Sequence, residues 1–145
     1  MPNNDDFRSL FEFLPIGAYR SRPDGTQVRA NPALVRLNGY DSEAELLAAV
    51  RNIAHEWYVD PARRAIFVKQ LERDGQVTGF ESEVWRHKTR ERIWVSENAH
   101  IVHDTAGQVL FYEGTLEEIT DRVRERQALR RSQLQLQQVF ELVPG

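Results

Sequence analysis

The most informative part of this chain reads GQVLFYEGTLEEITDR over residues 107–122. The residues 104–107 predict a turn that ends in glycine, and the apolar run after it predicts a strand over about 108–116. Thr120 is predicted to cap the N-terminus of a helix with its side chain. The segment therefore predicts a strand that passes directly into a helix over about 120–143.

Two more strands are predicted upstream, over about 78–87 and 92–102, because residues of different character alternate there. The alternating sets are Phe80, Ser82, Val84 against Glu81, Glu83, Trp85, and Ile93, Val95, Glu97 against Trp94, Ser96, Asn98. Since Glu97 and Asn98 both interrupt an apolar stretch, the sequence leaves open which face of the second strand points inward. The link at 88–91 lacks glycine, so its turn type also stays open.

The first half of the chain predicts a hairpin between helices. A helix from Asp5 or Asp6 to about Leu14 precedes short strands over 17–21 and 27–30. Asn31 and either Asp41 or Ser42 predict the caps of two short helices. A longer helix over 62–73 is predicted to turn Ile66, Phe67 and Leu71 inward.

Length and composition predict a single globular domain. The chain has 145 residues, of which 41% are hydrophobic, and its net charge of −3 favours neither nucleic acid nor an anionic membrane. Its start is polar and acidic, so no signal peptide is expected, and no apolar run reaches the length of a membrane span. The absence of cysteine excludes disulfides and thiolate chemistry. We therefore expect a cytoplasmic segment with no nucleic-acid partner and no membrane contact of its own.

The order of elements and several motifs resemble a PAS domain, also called a sensory box, over about residues 7–125. The segment 107–122 resembles that family's glycine turn, Gly-Thr strand and Asp-Ile-Thr-Glu-Arg exit. Glu118 stands where the family usually has aspartate, and Asp121 stands where it usually has glutamate. NPAL at 31–34, LNGY at 37–40 and the stretch 55–64 resemble its helical part. The resemblance implies an α+β domain with a five-stranded antiparallel sheet of order 2-1-5-4-3 and helices across one face.

Flanking segments complete the predicted organisation. Residues 1–15 are predicted as an amphipathic helix, 16–119 as the PAS sensory domain, 120–143 as a signalling or coiled-coil linker helix, and 144–145 as the start of a further domain. FEFLP at 11–15 returns as FELVP at 140–144, which indicates one unit of a tandem array. Chance recurrence of a helix that ends at proline is the alternative.

The resemblance implies a space between sheet and helices that either holds a small ligand or is filled by side chains. The candidate ligand-binding residues are Tyr40, His55, Phe67, Trp85, Trp94, Asn98 and Tyr112. For the aromatic residues the alternative is plain core. Haem is not expected, because His55 precedes the long helix, and a cysteinyl flavin is excluded. The cofactor is thus unknown, a flavin without an adduct stays open, and no metal site is predicted.

The sequence predicts no catalytic residues. Ser96, Glu97 and His100 do not form a hydrolase site, because adjacent strand residues point to opposite faces, and phosphate-binding glycine loops are absent. We expect a sensory and regulatory module of a bacterial signal-transduction protein, of the histidine kinase or diguanylate cyclase type. It would sense a small ligand or partner and relay the state through its C-terminal helix. The alternative is a ligand-free dimerisation or spacer module.

The relay is assigned to Glu118, Thr120, Asp121 and Arg122. Glu118 is predicted to pair with one of four basic residues of the neighbouring hairpin, Arg86, Lys88, Arg90 or Arg92. Apolar stripes on the two flanking helices form a predicted seam of Phe7, Leu10, Phe11, Leu14, Leu129, Leu136, Phe140 and Val143. The N-terminal stripe must be covered by its own sheet or by the same helix of a second chain, and a monomer would expose the stripe of the exit helix. Because a two-fold dimer covers both stripes, we expect a weak parallel homodimer, beside PAS-like and output domains of the same polypeptide.

Overall fold

A computed structural model describes residues 4–142 of the chain, with side chains from Arg8 onward. The elements are α1 (Asn4–Phe13), β1 (Gly17–Ser21), β2 (Gln27–Ala30), α2 (Pro32–Leu37), α3 (Glu43–Ala49), α4 (Ile53–Glu56), α5 (Ala62–Asp74), β3 (Gln76–Arg86), β4 (Glu91–His103), β5 (Val109–Glu118) and α6 (Thr120–Leu142). The predicted start of a further domain at 144–145 lies outside the described residues.

The five strands form one antiparallel sheet in the order β2-β1-β5-β4-β3. The N-terminal hairpin joins the C-terminal strands through β1 and β5, which pair from Gly17 opposite Leu116 to Ser21 opposite Tyr112. This pairing brings the beginning and the end of the domain together at the centre of the sheet. The predicted fold class and strand order are confirmed.

The core lies between one face of this sheet, the inner face, and helices α2 to α5. One buried cluster joins Tyr19, Val95 and Leu116 of the sheet to α2, α3 and α4, and a second joins the sheet to Phe67 and Leu71 of α5. Strand alternation places Glu97 on the inner face and Asn98 on the outer face, where it is exposed. The structure thus answers the question of strand phase that the sequence left open.

Side-chain caps begin the short helices. The Asn31 carboxamide oxygen accepts from Leu34 N at 3.0 Å, and Ser42 Oγ accepts from Glu45 N at 3.1 Å, as predicted. Asn52 caps α4, which the sequence did not predict. A helix of four residues is too short to show periodicity, so its only sequence signal was the cap.

The inward face of α5 differs from the prediction. Ile66 is 43% exposed, whereas Arg64 is 6% exposed and lies on the same side as Phe67 and Leu71. Positions 64, 67 and 71 follow the i, i+3, i+7 spacing of one helix face. The prediction was wrong for Ile66 because it selected residues by their apolar character, and the buried stripe includes a cation.

The β3–β4 turn contains a residue in the left-handed region. Arg90 has φ 62°, a conformation that glycine adopts at lower cost. Its guanidinium donates to the Glu56 carbonyl at 2.8 Å and lies 5.0 Å from the centre of the Trp85 ring. These contacts hold the turn without a glycine.

Helix α6 leaves the domain after its first turns. Thr120 and Val123 are its buried residues, and Arg126 pairs with Glu81 of β3 at 2.9 Å. Leu129 and the residues after it are exposed up to Leu142. Between residues 4 and 142, no helix has the length and apolar character that crossing a membrane requires.

Candidate functional site

A cluster of polar side chains lies in the core around Glu97. This carboxyl is 3% exposed on the inner face of β4, where Phe80 of β3 and Leu116 of β5 are its register partners. The Tyr19 hydroxyl donates to one carboxyl oxygen, and the Tyr58 hydroxyl donates to the other at 3.5 Å. The carboxyl is therefore held by two phenols that come from different parts of the chain.

A glycine makes room for this arrangement. A Cβ atom on Gly114 of β5 would lie 2.9 Å from the Tyr19 hydroxyl and would overlap the Asn98 carbonyl oxygen of the neighbouring strand. The missing side chain lets β4 and β5 approach closely and leaves the Tyr19 hydroxyl in reach of Glu97.

Arg64 of α5 is the buried cation of this cluster. Its guanidinium lies 5.5 Å from the centre of the Phe67 ring and 5.7 Å from that of Tyr112, within the range of cation–π attraction. Within residues 8–142, Arg64 Nη2 has no hydrogen-bond partner, and neither has the buried indole nitrogen Nε1 of Trp57. These two donors and the buried Ser21 hydroxyl thus have no hydrogen-bond partner in the described part of the chain.

Burial dominates the electrostatics of the cluster. It raises the pKa of the Glu97 carboxyl to about 7, although the hydrogen bonds from Tyr19 and Tyr58 and the charge of Arg64 act in the opposite direction. Burial and the neighbouring Glu97 charge also raise the pKa of Tyr19 and Tyr58. Both phenols therefore stay protonated and act as donors, while Glu97 titrates near neutral pH.

A small cavity borders the cluster. Its volume is about 30 Å³, and its wall includes Tyr19, Trp57, Arg64 and Glu97 together with apolar residues of α2 and α3. A cavity of this size has room for about one or two water molecules. The space that borders the cluster is thus small and partly polar.

Three of the predicted ligand-binding residues lie in the core. Phe67 and Tyr112 belong to the cluster beneath α5, where both rings contact Arg64. Tyr40 lies in the other cluster, and its hydroxyl shares a hydrogen bond of 2.5 Å with His87 Nδ1, whose Nε2 lies 3.1 Å from Glu56. The structure brings Phe67 and Tyr112 together but places Tyr40 in a separate polar contact.

The other four predicted ligand-binding residues, His55, Trp85, Trp94 and Asn98, do not line the space between sheet and helices. Their predicted location was therefore wrong. His55 is exposed on α4 instead of lying in a loop. Trp85, Trp94 and Asn98 lie on the outer face, because they alternate with the buried Val84, Val95 and Glu97. Asn98 accepts from Gly79 N at 2.8 Å and so holds the bulge of β3.

Two of the predicted relay residues, Glu118 and Thr120, meet at the start of α6. The Glu118 carboxylate accepts from Arg86 Nη2 at 3.1 Å, which confirms the predicted pairing, and from the Thr120 hydroxyl at 2.9 Å. Thr120 Oγ1 also accepts from Trp94 N at 3.0 Å, and Ile119 N donates to Trp94 O at 2.7 Å. Thr120 therefore ties α6 to β4 rather than capping the helix as predicted.

The remaining relay residues, Asp121 and Arg122, are exposed on the first turn of α6. Among the described residues, no group of three His, Asp or Glu side chains is arranged to hold a metal ion.

The predicted seam is in part exposed. Leu10, Leu129, Leu136 and Phe140 are exposed, while Phe11 and Leu14 are half-buried beside a broad groove of about 980 Å³ between α1 and the outer face of the sheet. The guanidinium of Arg29 covers the Phe11 ring at 4.9 Å. Val143 and the side chain of Phe7 lie outside the described residues.

Sequence reasoning missed the cluster of Tyr19, Trp57, Tyr58, Arg64 and Glu97. A signal was present for two of them. Glu97 continues the alternation of Ile93 and Val95, and Arg64 precedes Phe67 and Leu71 at helical spacing. A charged residue that stays in phase with a buried stripe is therefore a candidate for a functional core group.

Neither a protein-family model nor a curated protein sequence matches the chain. Solved structures do. A PAS domain from Colwellia psychrerythraea superposes with a TM-score of 0.68 at 18% identity, covering 81% of this chain and 98% of its own. A sensory box histidine kinase/response regulator from Burkholderia thailandensis E264 gives 0.67 at 21% identity, covering 91% and 98%.

An RNA-binding light-oxygen-voltage receptor gives a TM-score of 0.72 at 25% identity, and the match covers 88% of this chain and 36% of that receptor. These proteins share the helical layer and sheet described above. The chain is therefore a PAS-fold domain.

Proposed function

We propose that this chain is a sensory and regulatory module of a signal-transduction protein of the histidine kinase or diguanylate cyclase type. It passes a change of state in its core to α6. The similar solved structures that come from sensor histidine kinases support the class of protein. The junction of Arg86, Glu118, Thr120 and Trp94 is the single observation that carries the relay.

Strand β4 links the core to this junction. Trp94 and Glu97 lie three residues apart on opposite faces of the strand, and Trp94 binds the start of α6 through both of its backbone polar groups. Because a strand is stiff along its length, a shift of Glu97 moves the backbone that holds α6. A change of charge or contact in the core therefore reaches the exit helix through a continuous path of bonded groups.

The test uses the whole signalling protein and measures its output, autophosphorylation or cyclic-dinucleotide synthesis. Glu118→Gln weakens the charged contact with Arg86, and Thr120→Val removes the bond to Trp94 N, so each is expected to change the signal-dependent output several-fold. Glu117→Gln, at the neighbouring exposed glutamate, is the matched control and should behave as wild type. Unchanged output in both junction variants would overturn the relay.

A second candidate is a ligand-free dimerisation or spacer module. The small size of the cavity and the exposure of Leu129, Leu136 and Phe140 favour it. Native mass spectrometry of the isolated domain separates the two, because a sensor carries a ligand that it can release. If output is lost with Leu136→Glu but is insensitive to Glu97→Gln, the spacer replaces the sensor.

A further inference from the structure

Arg64 is a buried cation that no carboxylate of the described residues reaches. Its side chain is 6% exposed, and among residues 8–142 none of the ion pairs within 4.0 Å includes it. Buried cations are normally paired, because removing a charge from water is costly. The rings of Phe67 and Tyr112 offset part of this cost, but Nη2 still has an unused donor.

A second unused donor belongs to another residue of the cavity wall. Trp57 is 8% exposed, its Nε1 has no partner among the described residues, and both Trp57 and Arg64 contribute to the wall of the 30 Å³ cavity. An occupant that satisfied both donors would accept hydrogen bonds from a guanidinium and an indole. A carboxylate fits a guanidinium best, since its two oxygens match two N–H groups.

The charge balance around Glu97 points to the same class of ligand. The titratable groups that face Glu97 are Tyr19 from β1, Tyr58 from the segment before α5, and Arg64 from α5. Strands β3 and β5 bring the apolar Phe80 and Leu116. With its carboxyl protonated, the cluster carries the single positive charge of Arg64, and an anion neutralises it.

We propose that the cavity binds a small carboxylate, of the size of formate or acetate, on Arg64 and Trp57, and that Glu97 takes up one proton from solvent as the ligand binds. The inference rests on the proposed sensory function and names the class of signal. Because the free space holds about one or two waters, a longer acid would have to displace core side chains.

The dependence of carboxylate affinity on the protonation of Glu97 has a measurable size. A bound carboxylate places a second negative charge beside Glu97 and so favours the protonated form of that residue. Since the pKa of Glu97 is about 7 in the free protein, affinity falls about tenfold from one pH unit below this value to one above it.

Calorimetric titration of the purified chain tests the proposal. Formate and acetate are titrated below and above the pKa of Glu97, in two buffers of different ionisation enthalpy, so that proton uptake is measured directly. Formamide and ethanol serve as neutral probes of similar size. Binding of the two anions alone, with proton uptake, is the expected result. Equal binding of the neutral probes, or no binding of any probe, would overturn the proposal.

Substitutions of single residues test which side chains bind the carboxylate. Arg64→Gln should weaken formate binding by about thirtyfold or more, since it removes a buried charged partner, and Trp57→Phe by several-fold. Glu97→Gln should keep the affinity measured at low pH and lose its pH dependence. Arg73→Gln, at an exposed arginine of the same helix, is the control.

If Arg64→Gln fails to fold, the other two variants decide. Wild-type affinity in Trp57→Phe together with wild-type pH dependence in Glu97→Gln would contradict the site. This test is independent of the test of the relay. A chain that binds no formate could still show the changed output of Glu118→Gln, and an unchanged output in Glu118→Gln would not affect formate binding.

Discussion

The Glu97 carboxyl makes the stability of this domain depend on pH. Burial raises its pKa to about 7, above the value of 4.5 expected for glutamate in an unfolded chain. Between these two values the folded protein keeps a proton that the unfolded chain has released. The free energy of unfolding therefore falls as pH rises from about 4.5 to about 7, and the contribution of Glu97 is full below that window.

Glu97→Gln should remove this dependence. The free energy of unfolding of wild type should fall by about 3 kcal/mol relative to that of the variant from the low to the high end of this pH window. The reason is that a shift of one pKa unit is worth about 1.4 kcal/mol. Denaturant unfolding at a series of pH values, in buffers free of small carboxylates, measures the difference. Parallel curves for the two proteins would show that Glu97 does not titrate in this range.

Gly114→Ala should destabilise the sheet. Its Cβ would overlap the Asn98 carbonyl oxygen and approach the Tyr19 hydroxyl to 2.9 Å, so the two strands must separate. We expect a loss of about 2 kcal/mol or more, typical of overpacking in a core. Thr115→Ala, at the next residue of β5, is the control for loss of sheet propensity. Chemical denaturation that gives the same midpoint for both variants would contradict the close approach.

At the level of elements, Asn31 joins α1, β1 and α2. Its side chain makes four hydrogen bonds, to Phe11 O, Ile16 O, Ala18 N and Leu34 N, and is fully buried. Asn31→Ala leaves several of these backbone groups unpaired and should cost about 3 kcal/mol or more. Ser42→Ala removes an exposed cap of α3 and should cost only about 1 kcal/mol. Similar thermal unfolding of the two variants would refute the joining role of Asn31.

The sequence was informative about elements because their signals are local. The caps at Asn31 and Ser42, the alternation in β3 and β4, and the passage from β5 into α6 each depend on neighbouring residues. The wrong placements on the strands have one physical cause. Whether Trp94 or Glu97 points inward depends on what packs on each face, and that is a long-range property.

The buried polar cluster around Glu97 was missed for a related reason. A charged residue is usually exposed, so Arg64 and Glu97 were passed over in favour of Ile66 and the aromatic residues. The burial of Glu97 requires Tyr19, Tyr58 and Gly114 to meet from distant parts of the chain. Only the three-dimensional arrangement shows that these groups meet around its carboxyl.

For the whole molecule, we predict a weak homodimer through the exposed stripe of α6 and the partly exposed stripe of the N-terminal helix. Leu136 is 58% exposed and Phe140 75% exposed, and a second copy would cover them. Sedimentation over a concentration series should show self-association of the wild type. Leu136→Glu and Phe11→Glu should shift it to monomer, while Gln137→Glu, outside the seam, should not. A wild type that stays monomeric at high concentration would defeat this prediction.

The central claim is that the core and α6 are mechanically coupled through Glu118 and Thr120. The chain contains no cysteine, so spin labels can be attached at cysteines introduced at the exposed Thr105 and Gln133 alone. Electron–electron double resonance then reports the distance between the β4–β5 turn and α6, with labelled protein diluted in unlabelled protein to isolate distances within one chain.

The account predicts one narrow distance distribution for the wild type and for the control Glu117→Gln. It predicts a shifted or broadened distribution for Glu118→Gln and Thr120→Val, because α6 loses its attachment to Arg86 or to Trp94. The same distribution in all four proteins would contradict the coupling of α6 to the sheet.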